Sequence, residues 1–538
     1  MQLIVFHYHL LPGGVTDVIL HSIQAVTAHR SDISSVRLVC GREENADTVI
    51  AGLDEIGVPV ELDVLHELDY TPTAEPTDVA LERADRLESV LLARYASEDA
   101  FWWVHNFHVG KNPAFTLALC RIAGTEASPR MLLHIHDFPE CARYENLAYL
   151  TRITGESPYP AGPAVRYVVI NARDRALMGG TNIPDDHVHL LVNPLPQAAD
   201  PDGARPGKSA LVSALGRFAA DNGQQFDPDG PLLLYPIRTI RRKNVLEMVL
   251  LARLAAPANL IVTLPGVSNA ERPYSNLIAE AFASGASQGV WGIGRREHGY
   301  DLTFQDLTHG ADVIVSSSVQ EGFGLLFVNA LRWRVPLFAR HLSILDGVSS
   351  IFENYPARFY ANVQVPMNSP SISSLRAYLR MRYVERLDEL GEFLPATARD
   401  RLDGQLEDLL SASSIDFAYL PPDMQYAYLR DLTDPAFASE IDALNRESVD
   451  DLMTVESQDC PDASARVEQM FGFRAFADRF DRVVRSYDQA GTAPPAGPPP
   501  APDVDCRRYE TAQQTLVEGF ADLEYLRLLF APMGDNHG

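Results

Sequence analysis

Short apolar, β-branched runs alternate with helical patterns along two long stretches of this chain, and that rhythm leaves few folds open. In the first stretch the strand-like runs fall at 1–9, 36–40, 60–64, 101–104, 131–135, 165–170 and 188–192; in the second they fall at 232–235, 260–264, 311–315 and 335–338. Apolar runs of four to eight residues separated by amphipathic helices describe parallel strands covered on both faces. The fold class is therefore read as α/β, with two Rossmann-like, doubly wound domains. Binding groups in such sheets gather at the carboxyl ends of the strands. The chain of 538 residues is long enough for this. The domain reading places a first domain at 1–195, a connection at 196–230 and a second domain at 231–466 with a helical insertion at 370–455. A helix at 467–487, a Pro-rich linker at 488–507 and a last helix at 508–538 complete it.

The residues just after the strands carry the chemistry. Residues 310–329 read as strand, Gly-containing turn and helix: Val313-Ile314-Val315, a serine triplet at 316–318, Glu321-Gly322-Phe323-Gly324, then Leu325 and Leu326. Two glycines let backbone approach a ligand, and a helix start offers free N–H groups to an anion. A carboxylate beside an anion site makes sense when it accepts hydroxyl hydrogen bonds, so Glu321 points to a ligand with both phosphate and hydroxyls. The plainer reading is an ordinary strand–turn–helix. Upstream, Arg238-Thr239-Ile240-Arg241-Arg242-Lys243-Asn244 joins the strand at 232 to the helix at 245. Two cations five residues apart, Arg238 and Lys243, suit a pyrophosphate; a solvated basic turn is the alternative.

Charge sharpens the point. The net charge of −27 argues against general nucleic-acid or anionic-membrane binding. Only Lys111, Lys208 and Lys243 are lysines among 45 basic residues. Lysines at strand ends are thus informative. Lys111, in His105-Asn106-Phe107-His108-Val109-Gly110-Lys111, suits an anionic or polyhydroxy ligand.

The residues 321–325 and the Arg238/Lys243 pair resemble family 4 retaining glycosyltransferases of the GT-B fold. The resemblance implies two facing domains with the donor on the second and the acceptor on the first. It implies that Arg238 and Lys243 hold the donor diphosphate, that Glu321 holds the sugar, and that Gly322, Phe323, Gly324 and Leu325 line the donor. Asn329 stands where the family has a second Glu for the ribose; an amide there hydrogen-bonds a hydroxyl without charge and tolerates a different ribose geometry. Gly13-Gly14-Val15, after the first strand, resembles the family's opening loop and is assigned to the donor side. His136, in His134-Ile135-His136-Asp137, matches the family's first-domain histidine. Catalytic roles thus fall to His136, Glu321, Arg238 and Lys243, and acceptor contacts to His105, His108, Lys111 and Asp137. The implied reaction is retaining transfer of a hexose from a UDP- or GDP-sugar to a small polar hydroxyl acceptor, with the nucleotide sugar as co-substrate and no metal or other cofactor. Asn329 keeps alive a scaffold that binds a nucleotide sugar without turnover. Another GT-B enzyme, such as a sugar-nucleotide epimerase or a phosphorylase, is the further alternative.

Histidine pairs at strand ends (His7/His9, His105/His108, His134/His136, His187/His189) raise zinc, but no further ligand has fitting spacing, so no metal is assigned. Asp503 and Asp505 lie in the Pro-rich tail and are set aside. The five cysteines are scattered without CxxC spacing and read as reduced. No run of 18 apolar residues and no leader is evident, so a cytosolic protein without a membrane span is expected. The helix 467–487 resembles the closing helix of GT-B enzymes that returns to the first domain. The last amphipathic helix, 509–530, either docks on its own core or joins two copies into a homo-oligomer.

Overall fold

The structure is a computed structural model that describes residues 1–125, 128–155, 157–197, 207–294, 302–391, 393–456, 460, 462–489 and 511–530. Most of the expected Pro-rich linker, with Asp503, Asp505 and Cys506, lies outside the described residues. The chain divides into two compact units, one made of 1–197, 392–398 and 468–521, the other of 198–391, 399–467 and 522–538.

The first unit is built on seven strands: β1 (Gln2–Phe6), β2 (Ser35–Cys40), β3 (Val60–Val64), β4 (Ala100–His105), β5 (Arg130–Ile135), β6 (Val165–Val169) and β7 (Val188–Leu190). They lie in the order β3-β2-β1-β4-β5-β6-β7, every pair parallel. The second unit has β8 (Leu232–Arg238), β9 (Asn259–Leu264), β10 (Gly289–Trp291), β11 (Val313–Ser316), β12 (Leu337–Arg340) and β13 (Ala357–Tyr360) in the order β10-β9-β8-β11-β12-β13, also parallel throughout. Apart from the additional edge strand β7, the two orders are the same topology. Each reverses direction beside its first strand, between β1 and β4 and between β8 and β11, and such a switch point leaves a crevice at the strands' carboxyl ends. The two Rossmann-like α/β domains expected from the alternation are present.

Burial follows the pattern that made the strands legible. All six residues of β4 are buried, as a parallel strand covered on both faces requires. The helix Phe473–Gln489, within the stretch read as a closing helix, completes the first unit's core: Phe480 packs on Trp103 with ring centroids 4.9 Å apart and on Phe101 at 5.7 Å. It is separated from the helix Ala463–Phe471 at Gly472, so the expected 467–487 helix is two.

The expected last helix is also two, Ala512–Phe520 and Leu523–Phe530, and each buries its apolar side in its own unit. Phe520 meets Phe138 in the first unit; Phe530 meets Tyr383 in the second. The insertion folds as helices Leu375–Leu390, Ala396–Ser411, Pro422–Asp431 and Pro435–Thr454, with an antiparallel ribbon of β14 (Gln364–Pro366) and β15 (Ser414–Asp416) that the sequence did not announce. Among the described residues no helix is long and apolar enough to cross a membrane.

Candidate functional site

The second unit's switch point is where its charged groups meet. β8 carries Pro236, and its ladder with β9 is irregular between Tyr235 and Arg238, as expected where a ring nitrogen cannot donate. The chain then makes a tight turn, Arg241–Lys243, and Asn244 takes a left-handed conformation (φ 48°) to start the helix Val245–Leu254. That turn delivers Lys243 to Glu321: the ammonium donates to Oε1 of the carboxylate, while Arg242 donates to Oε2 at 2.8 Å and to the Gln320 carbonyl at 3.1 Å. The Lys243 and Glu321 side chains are 13% and 12% exposed, so both charges are largely out of water but not sealed from it.

Burial alone would raise the Glu321 carboxyl; the Arg242 and Lys243 charges outweigh it and hold it below the usual carboxylate range. Burial lowers the Lys243 ammonium, with Glu321 opposing and Arg242 adding to the fall. Arg238 is half-exposed and faces Glu271 at 3.6 Å instead. Lys243 and Glu321 are therefore brought together as the motifs suggested, Arg238 lies toward the rim with Glu271, and the cation that completes the pair is Arg242. The sequence contained the signal, an arginine one residue before the lysine, but not which arginine the turn would aim.

After Glu321 the backbone provides an anion-receptive end. Gly324 sits at φ 75° and precedes the helix Leu325–Trp333, whose start has no side-chain cap. A side chain at Gly324 would be strained in that conformation and would press on Phe327. Asn329, one turn in, accepts from Arg332 at 3.2 Å.

The basic turn is secured from behind. Ser317 Oγ donates to the Asn244 carbonyl at 3.0 Å, and the Tyr235 hydroxyl donates to the Lys243 carbonyl at 2.8 Å. The insertion adds two further ties that the sequence did not reveal. Gln425 Nε2 donates to Asn244 Oδ1 at 2.9 Å, and Arg241 reaches the Leu420 carbonyl at 3.1 Å. Asn244 in turn donates to Glu247, which pairs with Arg340; Arg340 also pairs with Asp416, and Arg527 joins Asp416 at 3.1 Å. A cavity of about 360 Å³ lies at the opposite, amino end of these strands, beside Pro231, Asp312 and Pro336, and is separate from this site.

In the first unit the groups after β1, β4 and β5 are histidines. Gly13 and Gly14 follow β1 at the start of the helix Gly14–His29, with open space around them. His7, His105, His108, His134 and His136 are all buried. Burial pushes His7 and His108 down to about 3 and His136 to about 4, and it holds His105 and His134 well below the usual range, so these rings are neutral near pH 7. His105 Nδ1 and His136 Nε2 share one hydrogen bond of 2.9 Å. Trp103 donates to His134 Nδ1 at 3.2 Å, which leaves the His134 proton on Nε2. Asn106, at φ 51°, accepts from the His136 and Asp137 amides at 2.8 and 3.3 Å and fixes that strand end.

His105, His134 and His136 place one ligand nitrogen each within 4.8 Å of the others, the one such group among the described residues. Their rings are stacked, however: His134 and His136 lie 4.2 Å apart and 25° from parallel, His105 and His136 12° from parallel. A metal lies in the plane of each imidazole that binds it. His105 and His136 already use one nitrogen each in their shared hydrogen bond, so coordination through those nitrogens would cost that bond. Of the expected acceptor contacts, His105 and His108 are beneath the surface, while Lys111 and Asp137 reach solvent.

No protein-family model matches the chain. Over 532 residues it is 27% identical to the mannosylglucosyl-3-phosphoglycerate synthase of Petrotoga mobilis, covering 98% of this chain and 99% of that enzyme. Among solved structures it is similar to a glycosyltransferase from Rickettsia africae ESF-5 (TM-score 0.45, 12% identity, 92% and 99% of the two chains). It is likewise similar to sucrose-phosphate synthase from Thermosynechococcus elongatus (TM-score 0.46, 14% identity, 91% and 99%). The end-to-end match to the Petrotoga synthase, with the two doubly wound sheets, supports a glycosyltransferase of GT-B type.

Proposed function

We propose that this protein is a retaining glycosyltransferase that moves a hexose from a nucleotide-diphosphate sugar, UDP- or GDP-linked, to a small polar hydroxyl acceptor. The observation that carries the reading is the meeting of Lys243, Arg242 and Glu321 at the β8/β11 switch point. The Glu321 carboxylate accepts from both cations. A donor diphosphate, bringing more negative charge, would take Lys243 and Arg242 as partners and free Glu321 for the sugar's hydroxyls. Fixed cations around a departing diphosphate stabilise the charge that develops as the glycosidic bond breaks. The uncapped start of the helix Leu325–Trp333 adds backbone N–H groups to the same task. His136, neutral and oriented by His105 and Asn106, would donate or accept one hydrogen bond on the sugar. Retention, a metal-independent reaction and a cytoplasmic location belong to this proposal, as does membership of family 4.

The name of the Petrotoga relative places a phosphoglycerate-bearing product with that enzyme. Carried to this chain, it proposes an acidic acceptor. The test is calorimetric titration with UDP, GDP and ADP, followed by incubation with the matching sugar nucleotides and NMR of the anomeric proton in the product. Binding of one nucleoside diphosphate, and a product with the donor's anomeric configuration, are the expected results. Inverted product would overturn retention, and no nucleotide binding would overturn the whole reading. Binding with neither transfer nor hydrolysis would favour the non-catalytic alternative, for which Asn329 is the motive.

The insertion's tie to the basic turn gives a separate expectation. Gln425→Leu removes the bond to Asn244 and one to the Phe417 carbonyl. Two buried hydrogen bonds lost at about 1 kcal/mol each should weaken nucleoside diphosphate binding roughly tenfold by loosening the turn. A variant that melts earlier but binds the nucleotide with wild-type affinity would show that the insertion only stabilises.

A further inference from the structure

We infer that Lys111, Arg143 and the first turn of the helix Tyr144–Thr154 form a binding site for an acid group, phosphate or carboxylate, on the acceptor. The inference rests on the proposed transferase activity and locates one end of its second substrate.

The geometry begins with the lysine. Lys111 is half-buried and has no carboxylate within ion-pair distance among the described residues. Its ammonium lies instead over the Tyr70 ring, 5.6 Å from the centroid. That ring is itself 40% exposed and meets His9 at 5.0 Å, so aromatic surface and cation together face solvent at the carboxyl ends of the strands. An unpaired lysine is costly to keep half out of water. In a chain of net charge −27 with three lysines, this one has its acting carboxylate, Glu145, beyond ion-pair distance.

The second cation is held beside it. Gly110, at φ 72°, brings the Lys111 loop directly against the next helix: a Cβ on Gly110 would stand 2.3 Å from the Asn146 carbonyl oxygen. Arg143 immediately precedes that helix, and no side chain caps its start. Arg143 makes one ion pair, to Asp137 at 3.3 Å, with both side chains about two-fifths exposed. Such a pair is weak and exchangeable in water. Like charge from Arg143, added to burial, depresses the Lys111 ammonium, and Glu145 offsets this in part. Arg42, also near Tyr70, is already held by both Asp69 oxygens at 2.6 Å and is not counted in the site. One unpaired cation, one loosely paired cation and an uncapped helix start are thus left on neighbouring backbone, with Glu145 in that first turn and Asp137 on Arg143 as the opposing charges. An oxyanion with several oxygens satisfies all three.

The test uses the full chain and three probes at up to 10 mM: inorganic phosphate, 3-phosphoglycerate and glycerate, read by phosphorus or proton NMR line broadening and by calorimetry. 3-Phosphoglycerate should bind the wild type. Its affinity should fall at least tenfold in Lys111→Met and in Arg143→Gln, and recover at least in part in Lys111→Arg. Phosphate binding without glycerate binding assigns the site to the phosphate; the converse assigns it to the carboxylate. Nucleoside diphosphate affinity, measured on the same samples, should stay within twofold of wild type and reports that the variants are folded. If 3-phosphoglycerate fails to bind, or binds the Lys111→Met and Arg143→Gln variants as tightly as wild type while the nucleotide still binds, this site falls and the transferase reading stands. If the nucleotide itself fails to bind wild type, it is the transferase reading that falls.

Discussion

Lys243→Ala should lower kcat/KM for sugar transfer by about 10²- to 10³-fold, the cost of removing one preorganised charge partner from a developing anion. The effect is larger than charge removal at an exposed site because both Lys243 and Glu321 are mostly out of water. Deleting the lysine leaves Glu321 with Arg242 alone, at 2.8 Å, and takes away part of what holds that carboxyl low. Nucleoside diphosphate affinity should fall with the rate, since the same ammonium serves the ground-state phosphate. Lys208→Ala is the matched control. Lys208 pairs with Asp312 at the amino end of β11, remote from the switch point, and its loss should change the rate by less than twofold. Equal losses in the two variants, or a Lys243→Ala enzyme within threefold of wild type, would remove the basic turn from the chemistry.

Acid should unfold the first unit before the second, beginning below pH 6.5. His7, His105, His108, His134 and His136 are neutral in the fold because burial lowers every one of them. In the unfolded chain each titrates near 6.5. Between pH 6.5 and about 4 the unfolded state therefore binds more protons than the native state, and stability falls as pH falls. Each group contributes about 1.4 kcal/mol per pH unit once well below 6.5. Glu140 works the other way, because burial raises it to about 7 and the native state binds that proton first. Across these five histidines and Glu140 the balance is roughly four protons. His9, His187 and His189, also lowered by burial, add to it, while Asp174, raised by burial, subtracts. That is enough to erase a stability of about 5–15 kcal/mol within about two to three pH units. Hydrogen exchange on the full chain, corrected for intrinsic rate, would show peptides covering β4 and β5 losing protection by pH 5 while those covering β8 and β9 keep it. Equal loss in both sheets would contradict the assignment of the acid lability to the histidine stack.

The site was legible to the extent that it was local. Lys243 stands out as one of three lysines, at a strand end, and Glu321 sits between a strand and a glycine turn; such signals need only a few neighbouring residues. That Arg242, and not Arg238, would pair with Glu321 was not legible. It depends on a single turn over 241–243 and on a left-handed Asn244, which is bonded by Ser317, just past β11, and by Gln425 of the insertion. The histidine pairs were visible, but their stacking was not, because His105 faces His134 through the β4/β5 register, a pairing between residues about thirty positions apart.

By itself the sequence determined that apolar runs would become buried parallel strands and that reactive side chains would sit at their carboxyl ends. Periodicity and burial settle both over stretches shorter than twenty residues. Only the tertiary structure decided which side chains share a charge and which share a proton, which histidines are sealed from water, and that the helical insertion braces the basic turn. Those outcomes depend on distances between segments far apart in the chain. Such distances are fixed by packing and strand register, which no local pattern encodes.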